Sequence, residues 1–369
     1  MKQGWEYKKF ETCINKTPKP KQVKTEEYNS GTKYPIVSQE DKLISGYYDD
    51  ESYVFHIDSP VVIFGDHTRV FKYVDFDFVV GADGVKIISP KQELDAKFLL
   101  YYLQWYKIPN LGYSRHYKLL KELNIPIPPK STQLTIVSEL DKINELIRLK
   151  KEQLKDYDNL AQSIFYEMFG DPVENEKGWE VKKWKDVFNT ILGKMLDKSK
   201  QFNHLKQYKY LANMNVQWGY FDLKELRSMT FTDEELAKYE LRNNDLLICE
   251  GGDAGRCAIW KETDETILFQ KAIHRARLID TDNADVVYIR YWMQFYKVNK
   301  GLKDYISKST IEHLTGDKLK RLPIPLPPLP LQHLFAQRIE QIEHQKSAVQ
   351  QSITDLETLL ASRMQHWFE

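Results

Sequence analysis

The chain has 369 residues, of which 42% are hydrophobic and 29% charged, and its 53 Lys+Arg balance 53 Asp+Glu. That length is more than one hydrophobic core usually serves, so two domains are expected. Zero net charge excludes a protein that coats nucleic acid non-specifically, though not local basic patches, and no run of about 18 apolar residues is present to span a membrane.

The chain opens on Gly4-Trp5-Glu6 with a Lys pair at 8–9, without the apolar stretch a secretory signal needs. INKTPKPKQVK at 14–24 is basic and proline-stiffened. VVIFGDH at 61–67, FDFVVGADG at 76–84 and KIISP at 86–90 read as strands broken at Gly and Asp. FLLYYLQWYK at 98–107 reads as an aromatic helix. LNIPIPP at 123–129 cannot be helix, because each proline fixes φ and biases its predecessor to extended structure. It is expected to be a stiff strap leading into a long helix. From Gln133 to Met168 no Pro or Gly occurs, and Phe169-Gly170-Asp171-Pro172 then supplies a stop.

From there the order repeats. GWE returns at 178–180 with a Lys pair at 182–183. NNDLLICEGGDAGRCAIW at 243–260 reads as strand, Gly-rich turn, strand, and YIRYWMQFYK at 288–297 echoes the first aromatic helix in register. LPIPLPP follows at 322–328, and a constant offset of 199 aligns Pro126 with Pro325, Gln133 with Gln332, Leu160 with Leu359 and Phe169 with Phe368. A repeat of this kind fixes architecture before any local detail does.

Apolar residues in the first long helix fall at Ile136, Leu140, Ile143, Ile147, Leu154, Tyr157, Ala161, Ile164 and Met168, with Lys150 as the charged exception. In the second they fall at Phe335, Ile339, Ile342, Val349, Ile353, Leu356, Leu360 and Trp367, with Lys346 and Arg363 as exceptions. Such a heptad seam needs a partner helix. The other copy is the economical partner, running antiparallel, which brings Trp367-Phe368 back near the first GWE. A coiled coil that dimerises with a second chain is the competing reading. Each helix would be roughly 50 Å long at about 1.5 Å per residue.

Catalytic signatures are sparse. GGDAG at 251–255 lacks the Lys-Ser/Thr of a phosphate loop and fits a hairpin turn. The nine histidines and three cysteines (Cys13, Cys249, Cys257) show no metal-ligand spacing. An odd, small cysteine set makes no disulfide framework, so a reducing cytoplasm is the expected compartment. No nucleophile elbow, adenine-methyltransferase signature or common nuclease arrangement is present.

The doubled IPxPP-x3-Q-helix element, IFYEMFGDP at 164–172, VVIFGDHTRVFKYVDFDFVVGADG at 61–84 and DLLICEGGDAGR at 245–256, in this order, resemble the specificity subunit of type I restriction–modification systems over essentially the whole chain. The resemblance implies an α+β fold: two mostly-β target recognition domains separated by a pair of long antiparallel coiled-coil helices, with an internal pseudo-two-fold, circular repeat. The expected bounds are a first recognition domain with strap at 1–129, a spacer helix at 130–170, a second recognition domain with strap at 171–328 and a second helix at 329–369. It also implies a non-catalytic reader of a bipartite target in double-stranded DNA. Two methyltransferase subunits would dock on its helices and restriction/translocase subunits would join. No cofactor is expected here, S-adenosylmethionine belonging to the methyltransferase. A stand-alone DNA-binding or scaffolding protein is the alternative, and an enzyme with degraded motifs comes third.

Candidate DNA contacts mix positive charge with short hydrogen-bonding residues in loops. The first group is Lys16, Thr17, Lys19 and Lys21, with Lys194, Lys198 and Lys200 as its counterpart. The second is His67, Thr68 and Arg69, with Arg256. The third is Ser114, Arg115 and His116, with Lys308, Ser309 and Thr310.

Overall fold

The computed structural model describes residues 2, 4–112, 114–195, 206–261, 263–308 and 312–369, with backbone alone for Ser307 and Lys308. The chain divides into two units: 1–152 together with 349–369, and 153–348.

The first unit runs β1 (Glu6–Lys9), α1 (Phe10–Cys13), β2 (Ile14–Asn15), β3 (Tyr34–Val37), β4 (Gly46–Tyr48), β5 (Val54–Phe55) and β6 (Val61–Gly65). It continues with β7 (Phe71–Val74), β8 (Phe78–Val80), β9 (Val85–Pro90), α2 (Ala96–Tyr106), α3 (Tyr117–Lys121) and β10 (Asn124–Ile127), then enters α4 (Lys130–Phe169). The second unit runs β11 (Glu180–Lys183), α5 (Trp184–Val187), β12 (Phe188–Leu192), β13 (Gln207–Leu211), β14 (Arg227–Thr230), α6 (Asp233–Tyr239) and β15 (Leu246–Cys249). Next come β16 (Cys257–Ile259), β17 (Ile267–Phe269), β18 (Ile273–Leu278), α7 (Val286–Val298), β19 (Ser307–Lys308), β20 (Glu312–His313), α8 (Gly316–Leu319), β21 (Pro323–Leu326) and α9 (Leu329–Phe368).

The two units are the same design. In the first, sheets of order β2-β9-β6-β7 and β4-β3-β8-β5 lie beside a β1-β10 pair; in the second, β12-β18-β15-β16 and β14-β13-β17 lie beside β11-β21. The sequence repeats become structural partners here. Tyr7 lies opposite Pro126 and Val181 opposite Pro325, so in each unit the GWE strand pairs with the proline strap. Proline's missing N–H is tolerated because these are two-stranded ribbons, edges on both sides. Strand β6 is buried at all five positions, as expected of its unbroken VVIFG run at a sheet centre.

The aromatic helices begin at equivalent caps. Asp95 accepts from Lys97 and Phe98 N–H, and Asp285 from Val287 and Tyr288 N–H. Two fully buried glutamines tie those caps to the straps. Gln133 Oε1 accepts from Asp95 N–H (2.7 Å), while its Nε2 donates to the Pro128 and Glu93 carbonyls (both 2.9 Å). Gln332 repeats the arrangement on Asp285 N–H (2.9 Å), the Pro327 carbonyl (2.7 Å) and the Asn283 carbonyl (3.3 Å).

The long helices pair antiparallel within each unit. In the first, Glu139 pairs with Arg363 and Lys151 with Glu357 (2.9 Å). In the second, Lys346 pairs with Asp158 (2.9 Å). Two of the charged exceptions in the seam are therefore cross-helix ion pairs. Burial follows the predicted heptads at Ile136, Leu140, Ile143 and Ile147, and at Phe335, Ile339 and Ile342. Gly170, at φ 77°, closes α4 by donating to the Tyr166 carbonyl at 2.9 Å. Phe169 then packs on Tyr288 and Phe335, and its repeat mate Phe368 packs on Phe98, Tyr102 and Trp105. The expected return of the second helix to the chain's start is met: Lys2 donates to the His366 carbonyl and lies over the Trp367 ring.

Candidate nucleic-acid interface

Each unit gathers its loops at one end of its sheets. In the first, Gln22 bridges Val80 at the end of β8, just before the Gly81–Gly84 turn, and the preceding Lys21 lies against Ser52 and Tyr53. Asp66 N–H donates to the Gly84 carbonyl (2.7 Å), and His116 N–H donates to the Asp66 carbonyl (3.0 Å). The second and third candidate groups thus share one corner. The second unit does the same. Lys194 bridges Gln270 beyond β17, and Gly251 bridges His313, the partner of Ser307 in the β19-β20 hairpin that carries Lys308.

Individual side chains divide into presented and committed. Lys16, Lys19, His67, Ser114 and Arg115 are exposed, and Thr17 is half-buried. Lys21 is exposed, donates to Ser52 Oγ (3.0 Å) and lies over the Tyr53 ring at 5.1 Å. Thr68 donates to the Gln39 carbonyl at 2.6 Å. Arg69 adopts φ 62° and donates to the Ile108 carbonyl at 3.2 Å. Lys198, Lys200, Ser309 and Thr310 lie outside the described residues.

Two placements differ from a presented contact. His116 is fully buried; its Nδ1 sits 2.8 Å from the Asp66 carbonyl and its Nε2 accepts from Leu111 N–H at 3.0 Å. With Nδ1 donating, both ring nitrogens are used, and His116 ties the loop to the GDHTR turn. Lys194 is enclosed between the Thr230 carbonyl, Glu235 and the Phe231 ring, so its charge is neutralised locally. Lys72, not singled out in the sequence, is likewise internal. It donates to the Ser38 carbonyl (2.9 Å) and the Lys42 carbonyl (2.5 Å), and burial holds its ammonium below the usual lysine range.

The second corner opens into a cavity of about 520 Å³ lined by Asn213, Met214, Gln217, Asp253, Arg256 and Gln270, among others. Arg256 enters from the β15-β16 hairpin, the expected Gly-rich turn, and its Nη2 donates to the Asn213 carbonyl at 2.9 Å. Burial pushes the adjacent Cys249 thiol up to about 11, against the pull of the same guanidinium. Asp253 does not leave a free negative charge, since Lys297 pairs with it and Trp218 Nε1 donates to it at 3.0 Å. The cavity thus presents a guanidinium and amides, a donor–acceptor mix suited to base edges or phosphate. Asn213 and Gln39 escaped sequence reasoning, because a single amide in a turn carries no periodic signal.

A family model for the type I restriction modification DNA specificity domain matches residues 2–156 and 176–358, and the chain belongs to that family. The Escherichia coli K12 EcoKI specificity subunit is 22% identical over 239 residues, 60% of this chain and 50% of the relative. A putative type I restriction enzyme specificity subunit of Haemophilus influenzae is 24% identical over 279 residues, 70% of this chain and 67% of the relative. The chain therefore spans about half to two thirds of the length of these curated relatives. Among solved structures, the S subunit of the M. genitalium type I restriction-modification system aligns over 98% of this chain and 95% of its own, at 14% identity and a TM-score of 0.57. A chain solved in work on complex assembly and conformational transition of the type I R-M system aligns over 100% and 98%, at 17% identity and a TM-score of 0.58. They share the fold. No helix among the described residues is long and apolar enough to cross a membrane.

Proposed function

We propose that this family member is the sequence-reading subunit of a type I restriction–modification assembly in the cytoplasm. Each unit reads one half of a split target in double-stranded DNA. The paired helices α4 and α9 set the gap between half-sites and dock two methyltransferase subunits, and restriction/translocase subunits complete the assembly. The chain itself performs no catalysis. S-adenosylmethionine is held by the methyltransferase.

One observation carries this reading. The hairpin turn and the loop before the strap meet at the same corner of two equivalent units: His116 N–H donates to the Asp66 carbonyl (3.0 Å), and Leu314 N–H to the Glu250 carbonyl (2.7 Å). The first corner exposes His67, Ser114 and Arg115 and the second offers Arg256 beside the Asn213 cavity, which supports a reader that takes phosphate contacts for register and base contacts for sequence. Co-expression with the host's methyltransferase subunit, followed by mapping of methylated adenines, tests it. A two-part motif with an unread gap is expected, and methylation without a split motif overturns the reading.

Two further results are expected. Calorimetric titration of the isolated chain with S-adenosylmethionine gives no binding heat, and methyl transfer appears only with the partner, at two subunits per chain; stoichiometric cofactor uptake by the chain alone would contradict this. Matched insertions of four residues, near Lys150 in α4 and at the facing level of α9, lengthen the pair by about 6 Å. At about 3.4 Å per base pair the preferred gap grows by about one or two base pairs, with both half-sites unchanged. An active variant with an unaltered gap would show that the helices are not the ruler.

A further inference from the structure

Both units leave an amide oxygen unpaired at the same corner. Asn213 lies two residues beyond the end of β13, and Gln39 two residues beyond the end of β3. The parallel registers Leu211↔Phe269 and Val37↔Val80 make the two positions equivalent. Oδ1 of Asn213 and Oε1 of Gln39 are buried and accept no hydrogen bond among the described residues. The neighbouring hairpin turn grips the same residue's backbone in each case: Arg256 Nη2 donates to the Asn213 carbonyl, and Thr68 Oγ1 to the Gln39 carbonyl. A buried acceptor without a donor weakens the fold that contains it. Its recurrence at equivalent positions beside a basic hairpin points to a ligand that supplies the donor.

The second corner narrows the chemistry of that ligand. Asn213 Nδ2 donates to the Gly251 carbonyl at 2.8 Å, which fixes the amide's orientation and sets Oδ1 apart as the unused acceptor. Arg256 Nε is also buried without an acceptor among the described residues, and both residues line the cavity. An unused donor and an unused acceptor thus sit on neighbouring residues, since Arg256 Nη2 donates to the Asn213 main-chain carbonyl and both line one cavity. We propose that this cavity takes the major-groove edge of an adenine, Arg256 Nε–H donating to N7 and Asn213 Oδ1 accepting from the N6 amine. The assignment rests on the DNA-reading role proposed above. Guanine presents two adjacent acceptors, N7 and O6, which suit an arginine with its whole fork free. Here Nη2 is committed to the Asn213 carbonyl, and the next group is an acceptor that repels O6. Thymine offers a carbonyl and a methyl but no amine.

The test uses the full chain. Duplexes selected from a random-sequence library by the wild-type chain are compared with those selected by Asn213→Ala and Arg256→Lys. Wild-type duplexes are then rebuilt with purine, which lacks the N6 amine, or 7-deazaadenine, which lacks N7, at each adenine of the second half-site. The expected result is one adenine whose preference falls about ten- to a hundredfold in either variant while the rest of the target stays. Purine at that position weakens wild-type binding by a similar factor and leaves Asn213→Ala unaffected. Variants that keep the wild-type preference at every position, or relax a guanine instead, overturn the inference while the DNA-reading role stands. A wild-type chain that selects no sequence overturns both. If Asn213→Ala does not fold, the base analogues with wild-type protein decide: no loss at any adenine overturns the inference.

Discussion

Exchange of residues 171–321 for the matching segment of a family relative is expected to replace one half of the DNA target and leave the other intact. The reason lies in how the cores are built. Among the described residues, the clusters of the first unit draw on positions 5–140 and on Phe368 with its neighbours Leu360, Met364 and Trp367, and contain nothing from 171–321. The interior of the exchanged segment, including Trp184, Leu246, Ile248, Tyr288 and Trp292, packs outside the segment only on the frame of straps and long helices, such as Phe165, Phe169, Ile324 and Phe335, which the exchange leaves in place. One junction passes between β11 and β21, whose register runs Glu180↔Leu326 to Lys183↔Pro323. That pairing is main-chain to main-chain, and both partners belong to the repeated frame, so it tolerates a changed domain between them. Each mismatched base pair costs about 1–3 kcal/mol. Three or four altered pairs therefore remove at least about a hundredfold of the old preference at that half-site. Methylation mapping of the exchanged protein with its partner reads both halves at once. Simultaneous change in both half-sites would end the modular reading.

That modularity is legible in the sequence, because an internal repeat is self-validating. The constant offset marked Gln133 and Gln332, and Phe169 and Phe368, as equivalent, and each pair makes equivalent contacts. The long helices were legible from their heptads and their Pro and Gly bounds. What stayed hidden was non-local. Both GWE and IPxPP were flagged, yet nothing in a four-residue strand announces its partner some 120 positions away. Lys194 looked like a contact because the Glu235 that neutralises it lies 41 positions downstream. His116 sits among Ser114 and Arg115 like any loop reader, and only the fold shows its ring turned onto Asp66. The equivalence of Asn213 and Gln39 emerges only from strand register. Short-range pattern therefore carries the frame and the candidate loops, whereas the meeting of those loops and the state of each side chain there depend on distant partners.

The glutamine clamps supply the second large effect. Gln332→Met keeps length and volume but removes all polarity from a side chain with no exposed surface. It leaves Asp285 N–H and the Pro327 and Asn283 carbonyls without their partner. An abandoned buried polar group costs about 1–3 kcal/mol, and the longer bond to Asn283 contributes least, so a loss of about 3–5 kcal/mol is expected. For a unit of this size each kcal/mol moves the melting temperature by about 2–4 °C, giving a drop on the order of 10 °C. The loss should fall on the second unit, so amide exchange in α7 and β21 should accelerate while exchange in α2 and β10 holds; Gln133→Met should reverse that pattern. Gln332→Glu separates hydrogen bonding from shape. Its carboxyl still accepts from Asp285 N–H, but when ionised it faces the Pro327 carbonyl with no proton to donate and is buried. Folding therefore raises its pKa above the unfolded value of about 4.3. A carboxyl raised on folding loses stability as pH climbs above the unfolded value, so the variant should lie closest to wild type below about pH 4 and diverge towards neutrality. A Gln332→Met protein that melts with wild type, or a Gln332→Glu deficit that does not change with pH, would show that the strap is held by its strand pairing alone.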